Sequence, residues 1–231
     1  MSTIEQNLQA VQRNIDAAAL EAGRAPQSVQ LLAVSKTFGP EAVLEAMRAG
    51  QTMFGENYLQ ESLDKIIAVA AAAPQTALQW HFIGPIQSNK TRPIAEHFDW
   101  VHTVEREKIA QRLSQQRPAG MAPLNVCLQV NISGEASKSG ATPGELRELA
   151  QQVARLPNLR LRGLMALPEP AADFEQQRIA FRALRLLYEQ LQADGLALDT
   201  LSMGMSGDMR AAIVEGATMV RVGSAIFGSR N

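Results

Sequence analysis

Cysteine is nearly absent: Cys127 is the single one in 231 residues. That excludes an internal disulfide and any multi-cysteine metal site, and it fits a reducing compartment. An excess of one charge is also missing. Lys and Arg number 22 against 23 Asp and Glu, for a formal net charge of −1, and no basic block marks a nucleic-acid or anionic-membrane surface. No apolar run approaches the roughly 20 residues that span a bilayer. The opening "MSTIEQNLQAVQRNI" lacks the apolar core of a signal peptide. No strand is followed by a GxGxxG turn, and low-complexity segments and domain linkers are lacking. The expectation is a soluble, cytoplasmic chain without metal, nucleic acid or membrane partner. It is organised as one domain over 1–231, with a helix in 1–23 and the rest of the fold in 30–231.

What is present is core material in a regular rhythm. Apolar residues make up 46% and charged residues 19%, enough to bury a large interior. Ile4, Leu8, Val11, Ile15 and Ala18/Ala19 recur at helical spacing over 3–22, with Ser2 or Thr3 as cap and Gly23 as stop. Strands are then predicted at 30–35, 52–55, 78–84, 100–104, 124–131, 159–166, 198–204 and 218–223. Helices are predicted at 40–50, 57–72, 88–98, 105–117, 142–157, 172–194 and 207–216, with a last turn from Ser224. Thr142 with Glu145 reads as a capping box. Strands alternating with helices imply parallel pairing with right-handed crossovers. Eight such units in about 200 residues point to an α/β fold, a (β/α)8 TIM barrel with an extra N-terminal helix. An open doubly wound sheet is the alternative. The Gly/Ser-rich stretch 131–144 reads as a flexible loop over one face.

In a parallel barrel all strand ends meet on one rim, where active sites lie. The ends here are polar in turn: Ser35-Lys36, Glu56-Asn57, His81, His102-Thr103, Asn131, Ser202 to Ser206, and Arg221 to Ser224. "SMGMSGDM" places Ser206 and Gly207, and "RVGSAIFG" places Gly223 and Ser224, at the starts of short helices. Two readings stand. One is routine serine caps and turn glycines; the other is an anion site, since glycine admits close backbone approach and helix starts offer free N–H groups. Lys36 is likewise either a solvated strand end or an amine that captures a carbonyl. Together, a phosphate cup and such an amine suit a phosphorylated aldehyde, of which pyridoxal 5′-phosphate is one. Arg221, facing the lumen, either donates to that cofactor's pyridine nitrogen or pairs with a barrel carboxylate such as Glu56.

"LLAVSKT", "FGENYLQE", "WHFIGPIQSNK", "NISGEASKSG", "GLMAL", "LSMGMSGDMRAAI" and "GATMVRVGSAIFG", in this order, resemble the pyridoxal-phosphate homeostasis proteins. The resemblance implies the fold of the alanine racemase N-terminal domain and a pyridoxal 5′-phosphate (PLP) cofactor held as an internal aldimine on Lys36. It implies phosphate contacts from Ser206, Gly223 and Ser224, Arg221 at the pyridine nitrogen, and Asn57 and Met165 beside the ring. It also implies a monomer that carries and buffers the cofactor, with effects on vitamin B6 and amino-acid homeostasis, and with apo PLP-dependent enzymes as recipients. Phe38-Gly39, Gly134 and Ala136 are mild departures. Lys90 and Lys138 are extra amines on the same face, read as solvated or as aids to cofactor passage.

No catalytic residue is assigned. Racemases on this barrel carry a second domain, by the same resemblance, and the chain runs only ten residues past Arg221. Tyr188 is expected far from the rim and Tyr58 near it as a packing residue. His81 and His102 are expected as hydrogen-bonded core residues. The alternatives are a small PLP-dependent amino-acid racemase using Lys36 as one base, and a phosphosugar aldolase using it as a Schiff-base lysine.

Overall fold

The computed structural model of the chain describes residues 2–134 and 139–228. Ala136, Lys138 and the middle of the 131–144 loop therefore lie outside the described residues. Helix α1 spans Thr3–Glu21, and its start is capped by Ser2, whose Oγ accepts from Glu5 N–H at 3.2 Å. Then follow β1 (Gln30–Val34), α2 (Pro40–Arg48), β2 (Met53–Glu56), α3 (Leu59–Ala72) and β3 (Gln79–Phe82). A single 3₁₀ turn, Ser88–Lys90, precedes α4 (Thr91–His97), β4 (Trp100–Val104), α5 (Glu107–Gln116) and β5 (Leu124–Gln129). The last elements are α6 (Pro143–Ala154), β6 (Leu159–Met165), α7 (Phe174–Ala193), β7 (Thr200–Ser202), α8 (Met209–Val214), β8 (Met219–Val222) and α9 (Ser224–Phe227). The eight strands pair in chain order, all parallel, and β8 returns to β1 with Leu32 opposite Arg221. The sheet is closed, which removes the open-sheet alternative.

The strands form because apolar, β-branched runs suit burial on both faces of a parallel sheet. Their alternation then sorts two interiors. Leu31, Ala33, Val220 and Val222 join the apolar layer beneath the helices. Trp100, Cys127 and Met165 form a separate cluster inside the barrel. Seating of α1 matters for the rim: Asn7 Nδ2 donates to Ile226 O in α9 at 2.9 Å, and Arg24 Nη1 to Ile213 O in α8 at 3.0 Å.

Several boundaries differ from expectation for identifiable reasons. The segment 88–98 begins as a 3₁₀ turn, and Pro93 falls in the first turn of α4, where its missing N–H costs no helical bond. Gly204 at φ 94 ends the ladder after β7. The helix expected from 207 starts instead at Met209, with Asp208 as its cap. Ser206 and Gly207 thus occupy the preceding turn, not a helix start. Glu145 reaches back to Thr142 as expected, accepting from its N–H at 3.2 Å and its hydroxyl at 2.7 Å. Among the described residues no helix is long and apolar enough to cross a membrane.

Candidate functional site

At the carboxyl ends of the strands lies a cavity of about 520 Å³, lined by Lys36, Asn57, Met165, Ser206, Arg221, Gly223 and Ser224 together. All seven residues singled out from the sequence therefore share one wall system. Phe38, Ile83, Leu167, Met205 and Gly207 complete much of it. Of these, Phe38 was noted only as a departure. Its ring lies 5.2 Å from that of Phe227 in α9, tying the loop after Lys36 to the segment that follows the neighbouring strand β8.

Lys36 follows β1 and is half-buried. The backbone on each side of it is held. Ser35 is fully buried, its Oγ–H donates to Glu56 Oε1 at 2.6 Å, and its carbonyl accepts from Lys65 Nζ at 2.8 Å. Thr37 sits at φ 69, and its N–H donates to Glu61 Oε1 at 2.7 Å. Lys65 joins these parts, donating to Glu56 Oε1 at 2.6 Å and Glu61 Oε1 at 3.0 Å. Glu56 is fully buried, and its Oε2 has no partner among the described residues. Burial raises its carboxyl pKa, against the opposing pull of Lys65 and the Ser35 hydroxyl. Of the two readings of Arg221, the ion pair with Glu56 is not what forms: α3 delivers Lys65 to Glu56.

Arg221 is 4% exposed. Its Nη1 donates to Ser202 Oγ at 2.7 Å and its Nη2 to Ala166 O at 2.9 Å, both neutral acceptors. Burial lowers its pKa to about 10, so it stays charged at neutral pH. Behind Ser202 the chain of polar groups continues. His102 Nδ1 lies 2.8 Å from Ser202 Oγ, and His81 Nδ1 lies 2.9 Å from His102 Nε2. His81 stacks on Trp100 at 5.2 Å. Both histidines are fully buried. Desolvation pushes His81 down to about 3 and His102 well below its ordinary value, with His81 and Arg221 adding to the latter shift. They are core histidines, as expected.

Much of the remaining lining comes from segments that follow the strands. The N–H groups of Ser206 and Gly207 have no partner among the described hydrogen bonds, and a Cβ at Gly207 would meet nothing within 4 Å. Gly223 is held for another reason: a Cβ there would stand 3.0 Å from Val34 O, so glycine lets the exit of β8 lie against β1. Asn57 is pinned by Gly84, where a Cβ would fall 2.1 Å from Asn57 O. Its Oδ1 is buried without a partner among the described residues. Met165 closes β6 and is fully buried.

Other expectations fall elsewhere. Lys90 ends the 3₁₀ turn, exposed, and is not among the cavity's lining residues. Tyr58 is 52% exposed as the cap residue of α3, a correction to its expected packing role. Tyr188 donates to Leu198 O at 2.9 Å, at the amino end of β7 and away from the rim.

The family model of the alanine racemase N-terminal domain matches residues 6–231 of this closed parallel barrel. The relatives narrow this. A pyridoxal phosphate homeostasis protein of Pseudomonas aeruginosa is 62% identical over 231 residues, covering 100% of this chain and 97% of the relative. One of Escherichia coli (strain K12) is 53% identical, covering 100% and 98%. PipY of Synechococcus elongatus, solved with PLP bound, superposes with a TM-score of 0.81 at 35% identity, covering 97% of this chain and 100% of that one. The alanine racemase of Clostridium difficile 630, at 13% identity, TM-score 0.72 and coverage of 99% and 57%, shares the fold. The chain belongs to the pyridoxal phosphate homeostasis protein family.

Proposed function

We propose that the protein binds pyridoxal 5′-phosphate in the rim cavity and carries and buffers it for vitamin B6 and amino-acid homeostasis. The observation that carries this is the convergence of Lys36, Arg221 and the Ser206 and Ser224 turns on one cavity of about 520 Å³, a size suited to a small cofactor. The residues fit the group. Ser206 and Gly207, which line the cavity, have N–H groups without a partner among the described hydrogen bonds, and Asn57, also in the lining, carries a buried Oδ1 without one. Arg221 lines the cavity, and its described hydrogen bonds go to the neutral Ser202 hydroxyl and Ala166 carbonyl.

In this reading Lys36 would be the residue that holds the cofactor covalently, through its Nζ. Ser206, Gly223 and Ser224 hold the phosphate, Arg221 donates to the pyridine nitrogen, and Asn57 and Met165 flank the ring. The cofactor supplies an aldehyde and an electron-accepting ring. Arg221 does not readily give up a proton, so as a donor to the ring nitrogen it would favour the unprotonated nitrogen. Proton transfer on a substrate needs an acid–base pair about the ring. Among the described residues, Lys36 and Arg221 are the titratable groups that line the cavity, and the neutral histidines lie beneath it. This supports a carrier over a racemase. We place the protein in the cytoplasm as a monomer, 1–231 forming one cofactor-binding barrel, with apo PLP-dependent enzymes as recipients. Sedimentation of the loaded protein at the mass of a dimer would overturn the monomer.

The test is reconstitution with pyridoxal 5′-phosphate, followed by mixing the loaded protein with an apo-enzyme, with free cofactor as control. A visible band that forms on loading and then passes to the recipient supports the reading. A protein that stays colourless, or that racemises a free amino acid through Lys36, overturns it.

A further inference from the structure

The geometry points to Lys65 and Glu61 as positioning residues for Lys36, a clamp on the backbone on both sides of it; this rests on Lys36 being the cofactor-linking amine. Neither α3 side chain was singled out in the sequence, and neither lines the cavity. Lys65 is 3% exposed, an expensive place for an ammonium unless every proton is used. Its bonds go to Glu56, to Glu61 and to the carbonyl of Ser35, the residue before Lys36. The same Glu61 oxygen accepts the N–H of Thr37, the residue after Lys36, at 2.7 Å. One helix thus grips both peptide neighbours of the amine through a shared carboxylate.

Thr37 adds an independent observation. It holds φ 69, a left-handed conformation. β-branched residues adopt it only where surroundings impose it, and such strain collects at functional positions. The bond to Glu61 is what the strained peptide gains. If α3 served only to fill the barrel wall, an apolar residue at 65 would cover β2, and the chain after β1 could turn through an unstrained residue. Here the turn fixes where the Lys36 side chain leaves the strand. A covalent site needs that direction held closely, since small misplacement of a reacting group costs much of its advantage.

The experiment uses the full chain loaded with pyridoxal 5′-phosphate and follows loss of the visible band during dilution, with thermal melts in parallel. Glu61→Ala removes the acceptor for Thr37 N–H and is expected to speed release about tenfold, equivalent to ~1.4 kcal/mol. Glu61→Gln retains an amide oxygen for that N–H and is expected to release near the wild-type rate. Thr37→Gly admits the same backbone conformation without strain but frees it to sample others. It is expected to speed release roughly two- to fivefold with no fall in melting temperature. Should Glu61→Ala fail to fold, Thr37→Gly decides alone. Wild-type release from a folded Glu61→Ala or from Thr37→Gly overturns the clamp, as does equal release from Glu61→Gln and Glu61→Ala. Lys36→Ala separates the two levels. If it keeps the band, the assignment of Lys36 itself fails; if it loses the band while the clamp variants behave as wild type, only the clamp fails.

Discussion

Two buried polar networks support the two cations of the mouth, and they are built on opposite principles. Under Lys36 the support is ionic: Lys65 bridges Glu56 and Glu61 and ties both to the backbone of Ser35 and Thr37. Under Arg221 the hydrogen-bond partners are neutral: Ser202, backed by His102 and His81 in line, and the Ala166 carbonyl, while the Asp208 carboxylate acts on the guanidinium through space. A carboxylate against Arg221 would cancel its field in the cavity. Hydroxyl and carbonyl acceptors hold the guanidinium in place and leave its charge for a bound group. Lys36 needs its direction fixed rather than its charge preserved, and charged partners placed on its neighbours supply that.

The contrast predicts opposite responses to pH, and this is the largest effect. The histidines are held below their ordinary pKa by burial, His81 at about 3. The unfolded chain takes up protons below about 6.5 that the folded chain refuses. Stability is therefore complete above that value and falls as pH drops, by about 1.4 kcal/mol per pH unit for each histidine. Glu56 works the other way. Its carboxyl is raised, so the folded state keeps that proton to higher pH than the unfolded state does. Its contribution is complete below the ordinary carboxylate range and fades as pH rises through the raised value. Urea unfolding from mildly acidic to neutral pH should show the histidine slope dominating; a flat profile would mean that the pair is not buried neutral.

Next in size is Lys65→Met. It strands Glu56 without its cation and is expected to cost about 3–5 kcal/mol near neutral pH. The loss should shrink in acid as Glu56 gains a proton, and denaturant melts at two pH values check it. A cost that grows in acid would contradict the assignment. Ser202→Ala is expected to cost less, about 1.5–3 kcal/mol, because Arg221 and His102 both lose a neutral partner. Binding of the cofactor should weaken with it, which calorimetric titration would read. The smallest effect is a null one. Cys127 is fully buried and its thiol is pushed up to about 12, so an alkylating reagent should label it only after unfolding.

Lys36, Ser206, Arg221, Gly223 and Ser224 stood out in the sequence because a parallel barrel brings every strand end to one face, whereas Asn57 and Met165 were singled out by the family resemblance. Apolar runs ending at Lys36, Asn57 and Ser224 are therefore neighbours whatever their separation. The supports were not legible in the same way. Lys65 reads as an ordinary lysine of an amphipathic helix, and only the crossing of α3 over β2 turns it inward to Glu56. For Arg221 an ion pair with Glu56 stood open as one of two readings, whereas its partner depends on the register that sets Ser202 within reach. His81 and His102 were recognisable as core residues, but their order in a line with Ser202 follows from barrel closure. The turn after β7 was misjudged by two residues because Gly204 bends early and Asp208, not Ser206, caps α8.

The central claim is that Lys36 is the residue the cofactor bonds to, with Arg221 and the serine turns holding the rest of it. Borohydride reduction of the loaded protein, followed by peptide mass mapping, fixes the bond where it stands. The account predicts one cofactor mass on the peptide containing Lys36 and none on that peptide in Lys36→Ala. A reduced adduct found on another lysine of the wild-type protein, with Lys36 unmodified, would contradict it.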